Sequence, residues 1–327
     1  MAKERDKTKK IVVFAIAVVL IASISVVAIL TLNSPKESTT KVQIITDDYG
    51  RKISAPANPE RIVSFGPSVT EIMFALKLED RIVGIDDNSN YPEETKHMER
   101  VGGIIPNKEK IMSLNPDLII ASDMLSEENV YSLEDCGLTV VCLSPRNMDG
   151  IFENIVLIGS MTGKTELAES IIEGLKERIN AVTGITQDVY KPRIYVEYCP
   201  YWTFGPGSFG NDLISMAGGR NIASATEAKY PNISNEYVVG HNPEIIIFTV
   251  GQHATLSQAN FINRPGWETT DAVKNNRIYP IDDNILTIPG PRMVDGLEEL
   301  AHIIHPELFP LLTSSDLSSY DSLNRGR

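Results

Sequence analysis

The sequence predicts an α/β protein built as two Rossmann-like lobes joined by a single long helix. Strand-like runs rich in Val and Ile alternate with helix-like segments, as in parallel sheets that are covered by helices. The same order of segments occurs twice along the chain. An amphipathic helix is predicted between the two occurrences.

The repeat rests on two pairs of matching segments. Each half opens with an arginine and a strand-like run that ends at a Gly/Pro turn, at residues 61–67 and 193–200. Each half later reads Glu, five residues, Asn-Pro, an acid and an apolar run, at residues 109–120 and 236–247. Self-similarity at this range indicates two lobes of one design.

The predicted connecting helix spans residues 164–182. Its apolar residues recur at helical spacing and form one stripe, at Leu167, Ala168, Ile171, Ile172, Leu175, Ile179 and Val182. Its 19 residues give a rod of about 28 Å. We expect this rod to act as a strut between the lobes.

The first lobe is predicted to open with a hairpin that turns at residues 47–50. A strand ending at Phe65 follows, and then a helix capped by Ser68 or Thr70 that runs through Leu78. The remaining segments are the strand 81–85, the helix 108–114, the strand 118–121, the helix 127–136 and the strand 138–143.

The second lobe repeats this order after the connecting helix. A Gly/Pro-rich loop at residues 200–210 follows its first strand. The predicted segments are the strand 194–198, the helix 211–216, the strands 245–249 and 277–281, and a final helix at 291–304. The predicted domains are a basic flank with a membrane segment at 1–33, a tether at 34–41, an N-terminal lobe at 42–147, linking helices at 148–185, a C-terminal lobe at 186–310 and a disordered tail at 311–327.

The charge of the chain is strongly acidic outside its N-terminus. The whole chain carries −13, and residues 1–33 contribute +3, so the remainder carries −16. Such a surface argues against nucleic acid or anionic lipid as the main partner.

The N-terminal segment predicts a membrane anchor. Five basic residues within the first ten precede 22 residues without a charge, at 11–32. As a helix these would span about 33 Å, enough to cross a hydrocarbon core of about 30 Å. The basic flank places the rest of the chain on the extracytoplasmic side. An uncleaved anchor is favoured over a cleaved signal peptide.

Several motifs are better explained as ordinary structure than as catalytic or metal sites. Residues 159–165 resemble a phosphate loop but have three residues between the glycines where four are needed. The Asp-rich loop 86–90 resembles a calcium loop, but Tyr91 and His97 stand where Gly and Glu are required. No set of Ser, His, Asp or Cys residues has a catalytic context, so no catalytic residues, protein-bound metal or cofactor are expected. A three-His metal site drawn from both lobes stays open as an alternative, as does one disulfide among Cys136, Cys142 and Cys199.

Aromatic residues cluster in loops that follow strands. Ligands of open α/β sheets bind outside the carboxyl ends of the strands, so loops of both lobes would meet across one cleft. Aromatic rings there suit a large, flat ligand. The candidate ligand-binding aromatics are Phe65, Tyr91, Tyr198, Tyr201, Trp202, Phe204 and Tyr230, and core packing is the alternative role for each.

Glu109 and Glu236 occupy matching points of the two lobes, near the start of a short helix. Compensation of the helix dipole would explain either one alone. Their pairing favours a second role, in which one acid per lobe docks on two basic patches of a two-fold symmetric partner.

At this point the chain resembles the iron-siderophore and vitamin B12 family of ABC-transporter substrate-binding proteins. The matching segments cover about residues 42–309 and are 61–71, 90–94, 109–121, 217–222, 264–267, 272–279 and Pro291-Arg292. The resemblance implies two α/β lobes joined by a rigid helix, the class III fold of periplasmic binding proteins. It also implies that Glu109 and Glu236 meet arginines on the membrane permease, and that Asn284 contacts ligand beside the aromatic loops.

The chain also departs from this family. Members that bind vitamin B12 can carry tryptophan at the positions of Ile104 and Ser122. The absence of both tryptophans argues against cobalamin itself as the ligand. Other corrinoids, haem and ferric chelates stay open. No cysteine follows the apolar segment closely, so anchoring would differ from that of lipoprotein relatives.

The sequence therefore predicts a monomeric, single-pass, extracytoplasmic receptor that delivers a metal chelate to an ABC permease and its ATPase. Two alternatives remain. One is a receptor for free zinc or manganese ions, and the other is a metal-dependent hydrolase on the same scaffold.

Overall fold

A computed structural model describes residues 41–251 and 256–309 of the chain. The predicted membrane segment, most of the tether, His253 and the predicted tail lie outside the described residues. Within the described ranges, none of the helices has both the length and the apolar character needed to cross a membrane.

The first sheet is parallel and has four strands in the order β4-β3-β5-β6. A separate antiparallel hairpin, β1 and β2, precedes it along the chain. The strands are β1 (Val42–Thr46), β2 (Lys52–Pro56), β3 (Ile62–Phe65), β4 (Ile82–Ile85), β5 (Leu118–Ser122) and β6 (Val140–Leu143). We call this hairpin, the sheet and its helices, residues 42–147, the first half.

The second sheet has the same parallel character and the order β10-β9-β7-β8. Its strands are β7 (Arg193–Glu197), β8 (Arg220–Asn221), β9 (Ile245–Val250) and β10 (Ile278–Asp282). We call this sheet and its helices, residues 193–309, the second half. The predicted α/β architecture with parallel sheets is confirmed.

Eleven α-helices are described. They are α1 (Pro67–Ala75), α2 (Lys108–Ser113), α3 (Glu127–Glu134), α4 (Met148–Met161), α5 (Thr165–Thr186), α6 (Phe209–Met216), α7 (Asn235–His241), α8 (Gln258–Ile262), α9 (Asp271–Lys274), α10 (Asp283–Thr287) and α11 (Met293–Ile304). Because helices cover the sheets, β3, β5 and β6 are buried along their whole length.

The long helix α5 follows the first sheet and precedes the second along the chain. It packs on α4, α6 and α11, and its buried residues belong to a hydrophobic core that includes residues of both halves. The stripe that it buries includes Ala168, Ile172, Leu175 and Val182, as the apolar spacing predicts. The helix continues to Thr186, beyond the predicted end. The segment that resembles a phosphate loop is the break between α4 and α5, where Gly163 adopts a φ of 72°.

Helix α1 begins differently from the prediction. Its N-cap is Gly66, Pro67 occupies the first turn, and no side chain caps it. Thr70 is buried, and its Oγ1 lies 2.7 Å from Ser64 Oγ and 2.8 Å from Ser89 Oγ, so it ties the helix to a strand and a loop. The helix ends at Ala75 rather than Leu78, and the final helix begins at Met293 rather than at residue 291.

The two matching arginines of the internal repeat, at the start of β3 and of β7, make the same kind of hydrogen bond. Arg61 donates from Nε to the carbonyl of Asn115 at 3.0 Å, and Arg193 donates from Nε to the carbonyl of Asn242 at 2.6 Å. Both asparagines are left-handed, with φ of 46° and 45°, and each precedes the proline that leads into a strand. The same device therefore ends a short helix and starts a central strand in each half.

The three cysteines are free thiols in the structure. Cys136 and Cys199 are exposed, whereas Cys142 is buried in β6. Burial raises the pKa of the Cys142 thiol to about 12. Only the two exposed thiols are therefore open to chemical labelling at neutral pH.

We expect Gly159→Ala to destabilise the packing of α4 on α5. A Cβ at this position would lie 2.6 Å from the Cβ of Ala168 and 3.2 Å from the carbonyl oxygen of Lys164. Overpacking of this kind costs about 1–3 kcal/mol in the free energy of unfolding, measurable by urea denaturation.

Gly174→Ala is the matched control, because a Cβ there has no neighbour within 4 Å and lies inside α5. It should stabilise the protein by about 0.5–1 kcal/mol. Equal stabilities for the two variants would show that α4 and α5 do not pack as described.

Candidate functional site

A cleft lies where the carboxyl ends of β3 and β5 face α10 of the second half. Its enclosed part has a volume of about 250 Å³. Ligands of open α/β sheets bind at this kind of edge. The lining residues are Pro67, Ser68, Asn88, Asn90, Ser122, Asp123 and Met124 from the first half and Asp283, Asn284, Thr287, Ile288 and Pro289 from the second.

Gly66 shapes the edge of the cleft on the first half. The chain leaves β3 with a φ of 125° at this residue, and a Cβ would lie 2.1 Å from Ser122 Oγ. Glycine therefore lets α1 begin directly beside the end of β5. The Gly66 N–H donates to Asp86 Oδ1 at 2.9 Å, which fixes the turn to the end of β4.

The polar loop 86–90 forms part of the cleft wall. Asp86 is buried and accepts hydrogen bonds from the N–H groups of Gly66 and Asn88 and from the Ser89 hydroxyl. Arg100 Nη1 donates to the carbonyls of Asp86 and Ser89, each at 2.7 Å. The Asp86 carboxylate is thus used to hold the loop, and the loop places Asn88 in the cleft lining.

Aromatic side chains of the second half form one cluster after β7. The ring of Tyr198 lies 4.9 Å from that of Phe204 and 6.3 Å from that of Tyr230, measured between centroids. Burial raises the pKa of Tyr198 to about 12, and burial also raises the pKa of Tyr230. Both phenols therefore stay protonated at neutral pH and keep a hydroxyl donor.

The charge of Asp123 influences the pKa of Tyr230. After burial, the negative charge of Asp123 is the second cause that raises the pKa of Tyr230. Asp123 belongs to the first half and lines the cleft, whereas Tyr230 belongs to the second. The charge of a loop of the first half therefore acts on a phenol of the second half.

Three of the predicted ligand-binding aromatics are accessible. Tyr91, Trp202 and Tyr230 are 45%, 42% and 39% exposed. Asn284 lines the cleft, with its Nδ2 donating to Asp282 Oδ1 at 2.8 Å.

Three others have different surroundings. Phe65 is fully buried in the core beneath β3, because both faces of this strand are covered. Phe204 is 2% exposed and supports the aromatic cluster from below. The ring of Tyr201 lies 4.3 Å from the guanidinium carbon of Arg264, whose charge pairs with buried Glu197.

The structure also shows a buried ion pair that the sequence reading missed. Arg292 Nη2 lies 2.5 Å from Glu71 Oε1, and these side chains are 16% and 3% exposed. The guanidinium carbon of Arg292 lies 3.7 Å from the ring centroid of Tyr91. We call Glu71 and Arg292 the cross-cleft pair, because Glu71 lies on α1 of the first half and Arg292 precedes α11 of the second.

The cleft lining has no basic residue among the described residues that form it. Six of its twelve residues carry an amide or a hydroxyl group, four are apolar, and the ionisable members are Asp123 and Asp283. Nearby cations are engaged elsewhere: Arg292 pairs with Glu71, and the Nζ of Lys229 lies 5.3 Å from the ring centroid of Tyr230. An anionic ligand would therefore find little electrostatic attraction here.

Glu109 and Glu236 are both exposed on the surface. Each lies in the first turn of a short helix, α2 capped by Asn107 and α7 capped by Ser234. Hydrogen bonds from the backbone and from Ser234 lower the pKa of Glu236. The two carboxylates are therefore available for a partner.

A second concave region is an open groove of about 940 Å³ between α4 and α5. It is larger than the cleft but includes no strand end or aromatic loop. Its rim is acidic, with Asp149, Glu153, Glu169, Glu173 and Glu177. The cleft, which combines loops of both halves, is the better candidate site.

Comparison with known proteins agrees with this architecture. A profile of the family described as "Periplasmic binding protein" matches residues 62–285. An ABC transporter substrate-binding lipoprotein of Bacillus subtilis, YvrC, is 30% identical and covers 85% of this chain and 90% of its own. A cobalamin-binding protein of Halobacterium salinarum is 27% identical and covers 79% of this chain and 73% of its own.

Among solved structures, the periplasmic haem-binding protein RhuT of Roseiflexus superimposes with a TM-score of 0.69. It is 25% identical and covers 76% of this chain and 98% of its own. The chain belongs to the periplasmic binding protein family, and it is a substrate-binding protein of an ABC transporter.

We expect the cross-cleft pair to cost stability at neutral pH. Burial raises the pKa of Glu71 more than the hydrogen bond and charge of Arg292 lower it, and Asp295 and Asp282 raise it further. A Glu71→Met variant should lose about 3–5 kcal/mol of unfolding free energy, because it leaves the Arg292 charge without its partner. Glu71→Met combined with Arg292→Met should recover the parent value or exceed it.

The pH dependence of unfolding provides the check. Because the folded-state pKa of Glu71 is raised, its contribution to stability is fully present below the unfolded pKa of about 4.3 and is lost as pH rises through the folded pKa. Any advantage of the double variant at pH 7 should therefore shrink at pH 5. A double variant that is less stable than the single variant would contradict this account.

Proposed function

We propose that this protein captures a metal chelate of the corrinoid class outside the cytoplasm and delivers it to an ABC permease. The observation that carries the proposal is the cleft: it is lined by loops of both halves, offers amide and hydroxyl groups beside apolar ones, is free of Lys and Arg among its described lining residues, and is continued after Asn90 by the exposed ring of Tyr91. A flat chelate with uncharged polar groups at its edge is complementary to such a surface. The chemistry is binding and release, with no bond made or broken.

We infer the kind of chelate from the hydrogen-bonding groups that the lining offers. Corrinoids carry amide side chains, which both donate and accept hydrogen bonds, and Asn88, Ser122 and Asn284 offer matching groups. Haem carries carboxylates, which are favoured by arginine or lysine partners. The relative from Halobacterium is named for cobalamin and RhuT for haem. The lining therefore favours the first kind of ligand for this chain.

We infer that most of a macrocycle would lie outside the enclosed part of the cleft. A volume of about 250 Å³ is below the 300–1,000 Å³ of typical small-molecule pockets. We infer that edge groups enter the enclosed part while the ring lies at the mouth, against Tyr91, Trp202 and Tyr230. Ile104, which is 67% exposed and takes the place of a tryptophan in some vitamin B12 binders, is an additional apolar contact for a corrinoid.

Equilibrium dialysis followed by visible absorbance tests the ligand class. Purified residues 34–327 are dialysed against cyanocobalamin, haemin and a ferric hydroxamate siderophore, and against zinc and manganese ions. We expect retention of the corrinoid. Retention of haemin alone would contradict the corrinoid proposal, retention of a bare ion alone would support a free-metal receptor, and turnover of a chelate would indicate an enzyme.

Trp202→Ala should weaken corrinoid binding about tenfold, because an aromatic contact is worth about 1.5 kcal/mol. Tyr190→Ala is the matched control, since Tyr190 is 70% exposed and bonds to Glu244 at the amino end of β9. Equal affinities of the two variants in dialysis would remove Trp202 from the site.

We further propose that Glu109 and Glu236 dock on the permease. Their support is structural equivalence, since both are exposed in the first turn of a short helix and each lies six residues before a left-handed asparagine. Paired charges orient a complex and speed its formation, even when each adds little affinity.

The combination of Glu109→Ala and Glu236→Ala should leave ligand affinity unchanged and reduce cellular uptake at least tenfold. Glu128→Ala with Glu166→Ala removes two exposed first-turn charges elsewhere and serves as the control. Uptake of radiolabelled corrinoid by cells that carry the permease is the measurement. Normal uptake by the first double variant would refute the docking role.

The sequence also supports a proposal for the N-terminal anchor and for the domain boundaries. We propose an N-terminal anchor at residues 11–32 that holds the binding domain on the extracytoplasmic side as a monomer. The binding domain then comprises an N-terminal lobe at 42–147, linking helices at 148–185 with α5 as the connector, and a C-terminal lobe at 186–310.

A further inference from the structure

We propose that the cross-cleft pair is a positioning device that sets the separation of the two halves at the floor of the cleft and holds Tyr91 at its mouth. The proposal rests on the proposed binding site. Glu71 and Arg292 act through geometry in this account, and neither needs to touch the ligand.

The pair lies next to residues that line the cleft. Ser68, one turn before Glu71 on α1, lines the cleft, and so does Pro289, three residues before Arg292. The two partners are 221 residues apart in the chain and approach each other directly behind these lining residues. A change in their separation is therefore a change in the width of the cleft floor.

The chain approaches α1 closely at Gly290. A Cβ on Gly290 would lie 2.9 Å from Glu71 Oε2. The segment that carries Arg292 thus reaches α1 with no side chain between them. This contact leaves little room for one half to move toward the other, and the ion pair opposes movement away.

The arrangement has an energetic cost. Glu71 Oε2 and Arg292 Nε are buried and have no hydrogen-bond partner among the described residues. A buried ion pair with incomplete bonding gains little or no stability over apolar replacements. The role of the ion pair is therefore to fix the geometry of the two segments, because it adds little to the free energy of folding.

Tyr91 connects the pair to the cleft mouth. Arg292 lies 3.7 Å from the centre of the Tyr91 ring, and Asn90 beside it lines the cleft. Cation–π contact of this kind restrains a half-exposed ring. One guanidinium thus links α1, the loop carrying Tyr91 and the start of α11.

The alternative role for Arg292 is direct contact with the ligand. The two roles differ in what they predict for Glu71→Gln. If Arg292 acts through position, loss of the Glu71 charge releases it and weakens binding. If Arg292 binds ligand directly, the same change frees the guanidinium for the ligand and preserves or strengthens binding.

The first readout is affinity for cyanocobalamin, measured by equilibrium dialysis. Glu71→Gln and the stable combination of Glu71→Met with Arg292→Met should each weaken binding about tenfold. Glu298→Gln is the control, because Glu298 lies on α11, pairs with Arg178 of α5 and is not among the residues that line the cleft, so affinity should stay unchanged.

The second readout is the distance between the halves in the absence of ligand. Spin labels are placed on Cys136 of the first half and on the thiol of Ser215→Cys, on the exposed face of α6, in a Cys199→Ser background. Cys142 stays unlabelled because it is buried. Electron–electron double resonance should give one narrow distance distribution for the parent and for Glu298→Gln, and a broader or longer one for Glu71→Gln.

The two readouts separate failure of this inference from failure of the proposed function. A Glu71→Gln protein with the parent distance distribution would overturn the positioning role. The positioning role would also be overturned if Glu71→Gln kept the parent affinity for cyanocobalamin while Arg292→Gln lost affinity. If the parent itself binds no cyanocobalamin, the proposed ligand is wrong, and the distance measurement still decides whether the pair sets the separation.

Discussion

The ion pair between Glu71 and Arg292 joins the first half of the protein to the second half. It lies behind the cleft, ties α1 to the segment before α11, and supports Tyr91 through the guanidinium face. The cleft exists because two parallel sheets present loops at their carboxyl ends, but its floor depends on this contact. The closeness of Gly290 to Glu71 shows how tightly the two halves meet there.

Each half repeats one local solution. An arginine at the start of the sheet bonds the carbonyl of a left-handed asparagine, and the Asn-Pro step that follows directs the chain into a buried strand. This solution ends α2 and α7 at equivalent places. As a consequence, both short helices expose one glutamate in the first turn, which is the arrangement that a two-fold symmetric permease could recognise.

The extent to which the sequence predicted the structure follows from the range of the forces involved. The stripe of α5 and the Val- and Ile-rich strands are local patterns, and both were found where they were expected. The break at Gly163 was likewise readable, because a glycine stop is local. The N-cap of α1 was wrong, because Thr70 is engaged by Ser64 and Ser89 from distant parts of the chain.

The candidate site shows the same division. Accessible rings at Tyr91, Trp202 and Tyr230 could be inferred from their loops, whereas the burial of Phe65 depends on both faces of β3 being covered. The cross-cleft pair could not be inferred, since no local pattern relates residues 71 and 292. Long-range polar contacts of this kind need the folded chain.

Hydrogen–deuterium exchange of the protein with and without saturating cyanocobalamin tests the central claim most directly. The account predicts slower exchange in segments of both halves together, at residues 86–92 and 122–124 and at residues 198–204 and 283–290. Protection confined to one half, or to the groove between α4 and α5, would contradict a ligand site between the halves.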